Sequence, residues 1–273
     1  MSDVVLYEVR EPGIAILTLN RPERLNAWTG ELGAKYFELL DRATADPDVK
    51  VIVVTGAGKG FCAGADMADL QGLGAGRGAA AAGGVSQGVA ASVGQRPQYD
   101  TTNVPKPVIA AINGAAAGMG LAQALMCDMR FAAAGAKMTT SFGQRGLIAE
   151  WGLSWLLPRL VGTGRAFDLL FSGRVILAEE AAQMGMVNAV VEPDKLMEYT
   201  LDYAASLARK VSPTSMAVIK RQVYADWDKD LVTAHDDSIG LMVASLRRPD
   251  FREGVASYLE KRDPQFNPVD PSA

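Results

Sequence analysis

Two uninterrupted apolar runs, Val51–Thr55 and Val108–Ile112, restrict the fold of this 273-residue sequence more than any other feature. Neither run alternates with polar residues, so each is typical of a strand covered on both faces, as in a parallel sheet. Each is followed by a loop of small residues and then by a helical pattern. Short strands that alternate with helical stretches predict an α/β core with crossover connections.

The rest of the chain divides into two parts. Further short strands are predicted at Val4–Val9, Ile14–Asn20, Met129–Ala132 and Val187–Val191, and a helix at Gly30–Thr44. After residue 195, apolar residues recur three or four positions apart in Leu196–Lys210, Pro213–Ala225, Leu231–Leu246 and Phe251–Leu259. This spacing is typical of amphipathic helices. The sequence therefore predicts an α/β core over residues 1–195 and a C-terminal helical region over residues 196–273.

The segment Gly72–Arg96 differs from the rest of the predicted core. It consists almost entirely of Gly, Ala, Ser, Val and Gln, and its charged residues are Arg77 and Arg96. A segment of this composition buries too little apolar surface to offset its ordering entropy. Two interpretations stay open, a tolerated surface insertion and a flap over a substrate site.

Charge and composition exclude several classes of protein. The net charge is −4, which argues against nucleic acid or a membrane surface as a partner, because phosphate-rich partners favour basic proteins. No apolar run approaches the length of a membrane span. The first residues lack the basic and apolar regions of a secretory leader, so we expect a cytoplasmic protein. Cys62 and Cys127 are then expected to be reduced thiols.

Common catalytic motifs fit the sequence poorly. The run Gly56-Ala-Gly-Lys-Gly lacks the Walker spacing, and Gln123 replaces the last glycine of a dinucleotide fingerprint. The single histidine, His235, lies in the helical tail beside two aspartates, where a surface position is expected rather than a triad. Too few ligands are present for a metal site. The chemistry must therefore use carboxylates and backbone dipoles.

The two loops that follow the buried strands supply such dipoles. They comprise Gly56–Asp66 and Asn113–Gly120, and both lead from a strand to a helical pattern. At the carboxyl ends of parallel strands, loops of this kind direct backbone N–H groups into a crevice. Two convergent N–H groups can form an oxyanion hole.

At these loops the sequence resembles a known family. The runs Asn20-Arg-Pro-Glu-Arg-Leu-Asn-Ala, Gly60-Phe-Cys-Ala-Gly-Ala-Asp-Met and Lys106-Pro-Val-Ile-Ala-Ala-Ile-Asn-Gly are similar to signatures of the enoyl-CoA hydratase/isomerase (crotonase) superfamily. The likeness spans nearly the whole chain apart from Gly72–Arg96. It implies a spiral of ββα turns, a C-terminal helical trimerisation region, and homotrimers or hexamers.

The resemblance also implies ligands and site residues. The ligand is an acyl-CoA thioester, with coenzyme A as part of the substrate and no tightly bound cofactor. The implied oxyanion donors are the amides of Ala65 and Met119. The residues implied to flank coenzyme A are Arg24, Leu25, Ala27, Ala63, Asp66 and Met67, and Lys261 is implied to meet a CoA phosphate, from its own or a neighbouring subunit.

The family's two hydratase glutamates are missing. Their positions fall on Ala122 and Phe142, which carry no titratable proton. Glu150, in Gly146-Leu-Ile-Ala-Glu-Trp-Gly-Leu-Ser, resembles the catalytic acid of Δ3,Δ2-enoyl-CoA isomerases and dienoyl-CoA isomerases. The other interpretation of Glu150 is an N-cap or first-turn residue of a helix at Trp151–Leu160.

A single carboxyl suits one reaction best. It can remove a proton from a 3-enoyl thioester and return it two carbons away, whereas hydration needs both a base and an acid. The prediction is therefore a Δ3/Δ2-enoyl-CoA isomerase with Glu150 as proton shuttle. An enoyl-CoA hydratase of low or altered activity is the alternative reaction. A non-catalytic CoA-binding or scaffold protein is the alternative from another class.

Overall fold

The computed structural model of the protein describes residues 3–66 and 96–269. Met67, the predicted helix that follows Asp66, and the segment Gly72–Arg96 except for Arg96 itself lie outside the described residues. Elements are numbered below in chain order.

Within the described ranges, two sheets form the core. The larger sheet contains, in spatial order, β1 (Val5–Arg10), β2 (Ile14–Leu19), β3 (Val51–Gly56), β5 (Val108–Ile112), β7 (Met129–Ala133) and β10 (Ala189–Val191). The smaller sheet contains β4 (Gly60–Cys62), β6 (Ala115–Ala117), β8 (Lys137–Thr139) and β9 (Ile176–Leu177). The pairs β1–β2 and β8–β9 are antiparallel, and the other pairs are parallel.

The chain alternates between the two sheets. It passes from β3 to β4, from β5 to β6, and from β7 to β8, each time placing one strand in the larger sheet and the next in the smaller. A helix, α2 (Met119–Leu125), follows β6 before the chain returns to the larger sheet. This succession is a spiral of ββα turns, and it brings the loops after β4 and β6 to neighbouring positions.

The core lies on both faces of β3 and β5, as their unbroken apolar runs predicted. All five residues of β5 are fully buried. Helix α1 (Gly30–Ala45) contacts β1 and β2 and buries the apolar side that its sequence spacing indicated. It begins at Thr29, whose side-chain oxygen accepts from the Leu32 amide at 3.2 Å, a standard N-cap.

Of the remaining α-helices of the described chain, two lie between β8 and β9, one lies between β9 and β10, and four follow β10. They are α3 (Leu153–Val161), α4 (Thr163–Ser172), α5 (Ala178–Gln183), α6 (Leu196–Lys210), α7 (Pro213–Asp226), α8 (Leu231–Leu246) and α9 (Pro249–Glu260). Helix α6 packs against β2, β3, β5 and β7. Helix α8 has no buried residue. No helix in the described ranges combines the length and the apolar character needed to cross a membrane.

Candidate functional site

The first candidate loop follows β4 and is held by backbone pairing to Leu25 and Trp28. The Ala63 amide donates to the Leu25 carbonyl at 3.0 Å, the Trp28 amide to the Gly64 carbonyl at 2.7 Å, and the Asp66 amide to the Trp28 carbonyl at 3.1 Å. Within the described part of the chain, the Ala65 amide donates to no backbone carbonyl. An amide whose neighbours on both sides are paired is rigidly held and available to a ligand oxygen.

The second candidate loop joins β6 to α2. The Gly118 amide donates to the Thr139 carbonyl at 2.9 Å, which ties the loop to β8. Met119 is the first residue of α2, so its amide is one of the first-turn N–H groups that have no acceptor within the helix. The aligned peptide dipoles add partial positive charge at this end.

The two loops are in direct backbone contact, and two glycines permit it. A Cβ atom on Gly64 would lie 2.8 Å from the Ala117 carbonyl oxygen and 3.7 Å from the Met119 nitrogen. Gly64 also has a φ of +95°, a conformation that other residues rarely adopt. A Cβ atom on Gly120 would collide with the carbonyl oxygen of Cys62. The structure therefore brings the loops of Ala65 and Met119 together, as their positions after parallel strands predicted.

A polar frame holds the segment before Trp28 against the first loop. The buried Asn26 side chain accepts from the Arg21 amide at 2.8 Å and donates to the carbonyls of Ala57 and Gly60 at 2.9 and 2.8 Å. Arg21 donates to the Ala27 carbonyl at 2.6 Å and pairs with Asp66 at 3.1 Å. These contacts bring together four residues predicted to flank coenzyme A, namely Leu25 and Ala27 beside the first loop and Ala63 and Asp66 within it.

Sequence reasoning assigned no role to Arg21 or Asn26, although both lie within the motif Asn20–Ala27. The residue type of Asn26 was a partial signal, because Asn often adopts a positive φ in turns and bonds the backbone groups there. In the structure Asn26 has a φ of 56°. Its three backbone partners are set by the tertiary fold. Arg24, predicted to flank coenzyme A, is exposed in the short 3-10 helix Pro22–Arg24.

The two positions of the missing glutamates are filled by side chains without protons to transfer. Ala122 lies in α2, three residues after Met119, and is fully buried. Phe142 is 5 % exposed, and its Cε1 atom lies 3.7 Å from a Cβ atom built on Gly118. The Phe142 ring thus packs against the second loop, immediately before the Met119 amide.

Glu150 lies in the turn that precedes α3 and is half-buried. Its Oε2 atom accepts from the indole Nε1 of Trp151 at 3.2 Å. Burial raises the pKa of this carboxyl, and the indole hydrogen bond opposes the shift. Ile148, two residues before Glu150, is 78 % exposed.

The N-cap interpretation of Glu150 is wrong. Helix α3 begins at Leu153, two residues later than predicted, and its N-cap is Gly152 with no side-chain capping bond. The delay arises because Trp151 and Gly152 both have left-handed backbone conformations, with φ of 57° and 75°. A left-handed conformation is uncommon for a residue as large as Trp, and backbone strain of this kind is concentrated at functional sites.

Two further residues for which the sequence made predictions, Lys261 and His235, are exposed in the C-terminal helical region. Lys261 is exposed at the C-terminal end of α9, and in the described chain no hydrogen bond or ion pair joins it to either loop. His235 is an exposed residue of α8 whose Nδ1 lies 3.2 Å from Asp236, which confirms the predicted surface position. Cys62 and Cys127 are buried free thiols, and burial raises the pKa of each to about 12.

Comparison with known proteins gives matches over nearly the whole chain. The family described as enoyl-CoA hydratase/isomerase matches residues 9–268. The 1,2-epoxyphenylacetyl-CoA isomerase of Escherichia coli (strain K12) is 37 % identical over 97 % of this chain and 99 % of its own length. The crotonyl-CoA hydratase of Syntrophomonas wolfei is 35 % identical over 94 % of this chain and 95 % of its own.

Solved structures agree with the sequence matches. An enoyl-CoA hydratase from Mycobacterium marinum shares 52 % identity with a TM-score of 0.69, covering 84 % of this chain and 100 % of that chain. An enoyl-CoA hydratase from Bacillus anthracis shares 29 % identity with a TM-score of 0.87, covering 97 % of this chain and 99 % of that chain. The fold expected from the sequence resemblance is confirmed.

Proposed function

The chain belongs to the enoyl-CoA hydratase/isomerase family, and we propose that it is a Δ3/Δ2-enoyl-CoA isomerase in which Glu150 carries the proton. The observation that carries this proposal is the identity of the side chains at positions 122, 142 and 150. Ala122 and Phe142 have no proton to transfer, whereas Glu150 has a carboxyl whose pKa burial raises. A base with a raised pKa is matched to proton transfer near neutral pH.

The proposed reaction moves one proton and one double bond. The Glu150 carboxylate removes a proton from the α-carbon of a 3-enoyl thioester, and the electron pair delocalises onto the thioester oxygen. The amides of Ala65 and Met119 hold that oxygen as it becomes negative. The protonated Glu150 then delivers the same proton to the γ-carbon, and the 2-enoyl thioester forms with no net gain or loss of atoms. An oxyanion donor of this kind contributes about 10²–10³ in rate.

The coenzyme A moiety is proposed to lie along the segment that pairs with the first loop. The residues proposed to flank it are Arg24, Leu25, Ala27, Ala63, Asp66 and Met67, the last outside the described chain, with Lys261 at a phosphate. The proposal needs no tightly bound cofactor, since coenzyme A arrives with the substrate. A homotrimer or hexamer in the cytoplasm completes the proposal.

The test offers matched 3-enoyl-CoA and 2-enoyl-CoA thioesters to the wild type and to Glu150→Gln. Formation or loss of the conjugated thioester is followed by its absorbance. We expect the wild type to convert 3-enoyl-CoA, and we expect Glu150→Gln to lower kcat/KM by about 10²–10⁴-fold, the usual contribution of a positioned general base. Glu198→Gln, which removes an exposed carboxyl paired with Lys195, serves as the control and should retain full activity.

The other outcomes separate the alternatives. Turnover of 3-enoyl-CoA that is unchanged in Glu150→Gln would contradict the proposed shuttle. Consumption of 2-enoyl-CoA with formation of a hydroxyacyl thioester would favour a hydratase. Tight binding of both thioesters without turnover would favour a scaffold protein.

A further inference from the structure

Four buried polar side chains lie beside the candidate oxyanion loops, and they are called the buried amide cluster here. They are Tyr36 of α1, Gln98 and Thr101 of the 3-10 helix Gln98–Asn103, and Gln123 of α2. The exposed fraction of each is 1 % or less. Polar groups buried this completely are normally paired, because an unpaired one costs free energy.

Three polar atoms of the cluster have no partner in the described structure. The Gln123 amide nitrogen donates to the Tyr36 hydroxyl at 2.9 Å and to the Thr101 hydroxyl at 3.0 Å, but the Gln123 amide oxygen accepts nothing. Exchanging the two amide atoms of Gln123 would pair the oxygen and leave the nitrogen unpaired instead. Both amide atoms of Gln98 are also without a partner. Gln98 and Thr101 lie three residues apart in a 3-10 helix, where such side chains are aligned on one side.

The cluster adjoins both loops of the candidate site. Gln123 is one turn after Met119, about 6 Å along the axis of α2, and helical side chains lean towards the N-terminus. The Gln123 side chain therefore leans back over the turn that begins with the Met119 amide. On the other side, the Tyr36 ring packs edge-on against Trp28 with centroids 5.6 Å apart. The Trp28 backbone is paired with the first loop through Gly64.

The cluster is electrically neutral. Burial raises the pKa of Tyr36 well above its ordinary value, so this hydroxyl stays protonated. Two cations of the described chain lie near the cluster and both are paired: Lys220 donates to the backbone carbonyl of Thr101 at 3.4 Å and is paired with Asp128 at 2.8 Å, and Arg96, whose charge acts on Tyr36, is paired with Asp41 and Asp100. Among the described residues, a carboxylate entering the cluster would therefore find no unpaired counterion. A ketone oxygen could instead accept a hydrogen bond from one of the two glutamine amides. A hydroxyl could accept from one amide and also donate to the other.

We propose that the buried amide cluster binds a neutral oxygen-bearing group on the acyl chain of the thioester, and that Gln98 and Gln123 thereby select oxygenated acyl-CoA substrates. This inference rests on the proposed function, because it assumes an acyl-CoA thioester held by the Ala65 and Met119 amides. It adds a substrate class to that function. An unbranched alkyl chain in the same position would leave the amides unpaired, which a site built for hydrogen bonding disfavours.

The test measures binding rather than turnover. Saturated butanoyl-, hexanoyl- and octanoyl-CoA are titrated calorimetrically against the full-length protein, each as the plain, the terminally hydroxylated and the terminally carboxylated thioester. At one chain length or more, we expect the hydroxylated thioester to bind roughly 10- to 100-fold more tightly than the plain one, the ratio that one or two buried hydrogen bonds provide. The carboxylated thioester should bind no more tightly than the plain one.

Two variants link the preference to the cluster. Gln98→Leu and Gln123→Leu keep side-chain volume and remove the amides, and each should lower the ratio of hydroxylated to plain affinity by at least about tenfold. Thr200→Val is the control and should keep the wild-type ratio, because Thr200 is a buried residue of α6 whose hydroxyl donates to the Leu196 carbonyl in the same helix. If one Leu variant fails to fold, the other variant and the wild-type ratio still test whether the cluster selects the hydroxylated thioester.

The inference is overturned if the wild type shows no preference at any chain length, or if both Leu variants keep the wild-type ratio. Water filling the cluster in a crystal structure of the hydroxyacyl complex would also overturn it. Failure of the isomerase proposal has a different signature, namely selective binding of hydroxylated thioesters without turnover of any enoyl thioester. Turnover of enoyl thioesters without selective binding of hydroxylated thioesters would instead contradict the proposed substrate class and leave the isomerase proposal intact.

Discussion

Glu150 carries a destabilising charge at neutral pH, because burial raises the pKa of its carboxyl. The folded state binds the proton more tightly than the unfolded chain does. The free energy of unfolding therefore falls as the pH rises from the ordinary glutamate pKa, about 4.3, through the raised pKa of Glu150. A residue retained despite this cost is typical of a functional site, where activity and stability oppose each other.

Replacing Glu150 by Gln should accordingly raise stability at neutral pH. The amide oxygen can still accept from the Trp151 indole, so the hydrogen bond is kept while the buried charge is removed. We expect the melting temperature of Glu150→Gln to exceed that of the wild type near neutral pH, and the difference to disappear as the pH falls to about 4. Thermal unfolding across this range is the measurement. A variant that is less stable than the wild type by the same amount at every pH would contradict the argument.

The same pKa shift predicts the pH dependence of the proposed reaction. The base must be ionised to accept a proton, so kcat/KM should fall as the pH drops through the raised pKa of Glu150. This acid limb should lie at higher pH than that of an exposed glutamate. A pH profile with 3-enoyl-CoA checks the position of the limb, and a profile without an acid limb above the ordinary glutamate range would count against Glu150 as the base.

At the scale of elements, the first loop depends on a side chain from outside it. Asn26 is fully buried and satisfies three backbone groups, one each on Arg21, Ala57 and Gly60. We expect Asn26→Ala to lower the free energy of unfolding by about 2–4 kcal/mol, because unpaired buried groups cost about 1–3 kcal/mol each and partial relaxation recovers some of that. Denaturant unfolding measures the change.

A nearby asparagine provides the control for this variant. Asn20 makes a single exposed hydrogen bond, to the Asp3 carbonyl at 2.9 Å. Asn20→Ala should cost no more than about 1 kcal/mol. Equal losses for Asn20→Ala and Asn26→Ala would mean that the backbone groups around Asn26 find other partners.

The elements themselves were largely predictable, since their signals are local. The bounds of β5 match its uninterrupted apolar run, those of α6 and α8 match their apolar periodicity, and α1 begins after a capping residue. The start of α3 was missed because two left-handed residues delay it, and nothing in the sequence marks Trp151 for that conformation. In the sequence, Gln123 is notable only as a mismatch to a dinucleotide fingerprint. Its partners Tyr36 and Thr101 lie 87 and 22 residues away, so the fold alone reveals the cluster.

At the scale of the whole molecule, the C-terminal helices leave a large apolar surface uncovered. Ile239, Met242, Val243 and Leu246 are exposed on α8, spaced three and four residues apart as one stripe. Leu231 and Tyr258 are each 83 % exposed. Burying one side chain of this size contributes about 1.5–3 kcal/mol to the free energy of association. We therefore expect a second copy of the chain to pack against this surface.

We therefore expect the protein to self-associate in solution, and the family resemblance implies an assembly of three or six chains of 28.9 kDa each. Met242→Asp places a charge in the middle of the stripe and should shift the assembly towards smaller species, because an unpaired charge is costly to bury. Ala244→Asp adds the same charge to a different side of α8 and is the control. Light scattering after size-exclusion chromatography gives the masses, and a monomeric wild type would exclude the assembly.

Assembly also bears on the ligand. Lys261 is the exposed residue that follows the last residue of α9, and the family resemblance implies that it meets a coenzyme A phosphate of its own or of a neighbouring subunit. One form of this prediction is that it serves the coenzyme A of the neighbouring subunit. If so, Met242→Asp should weaken acyl-CoA binding as it dissociates the assembly, and Lys261→Ala should weaken binding without dissociation. Calorimetric titration of both variants separates the two effects. Full affinity in a dissociated Met242→Asp would show that each chain holds its ligand alone.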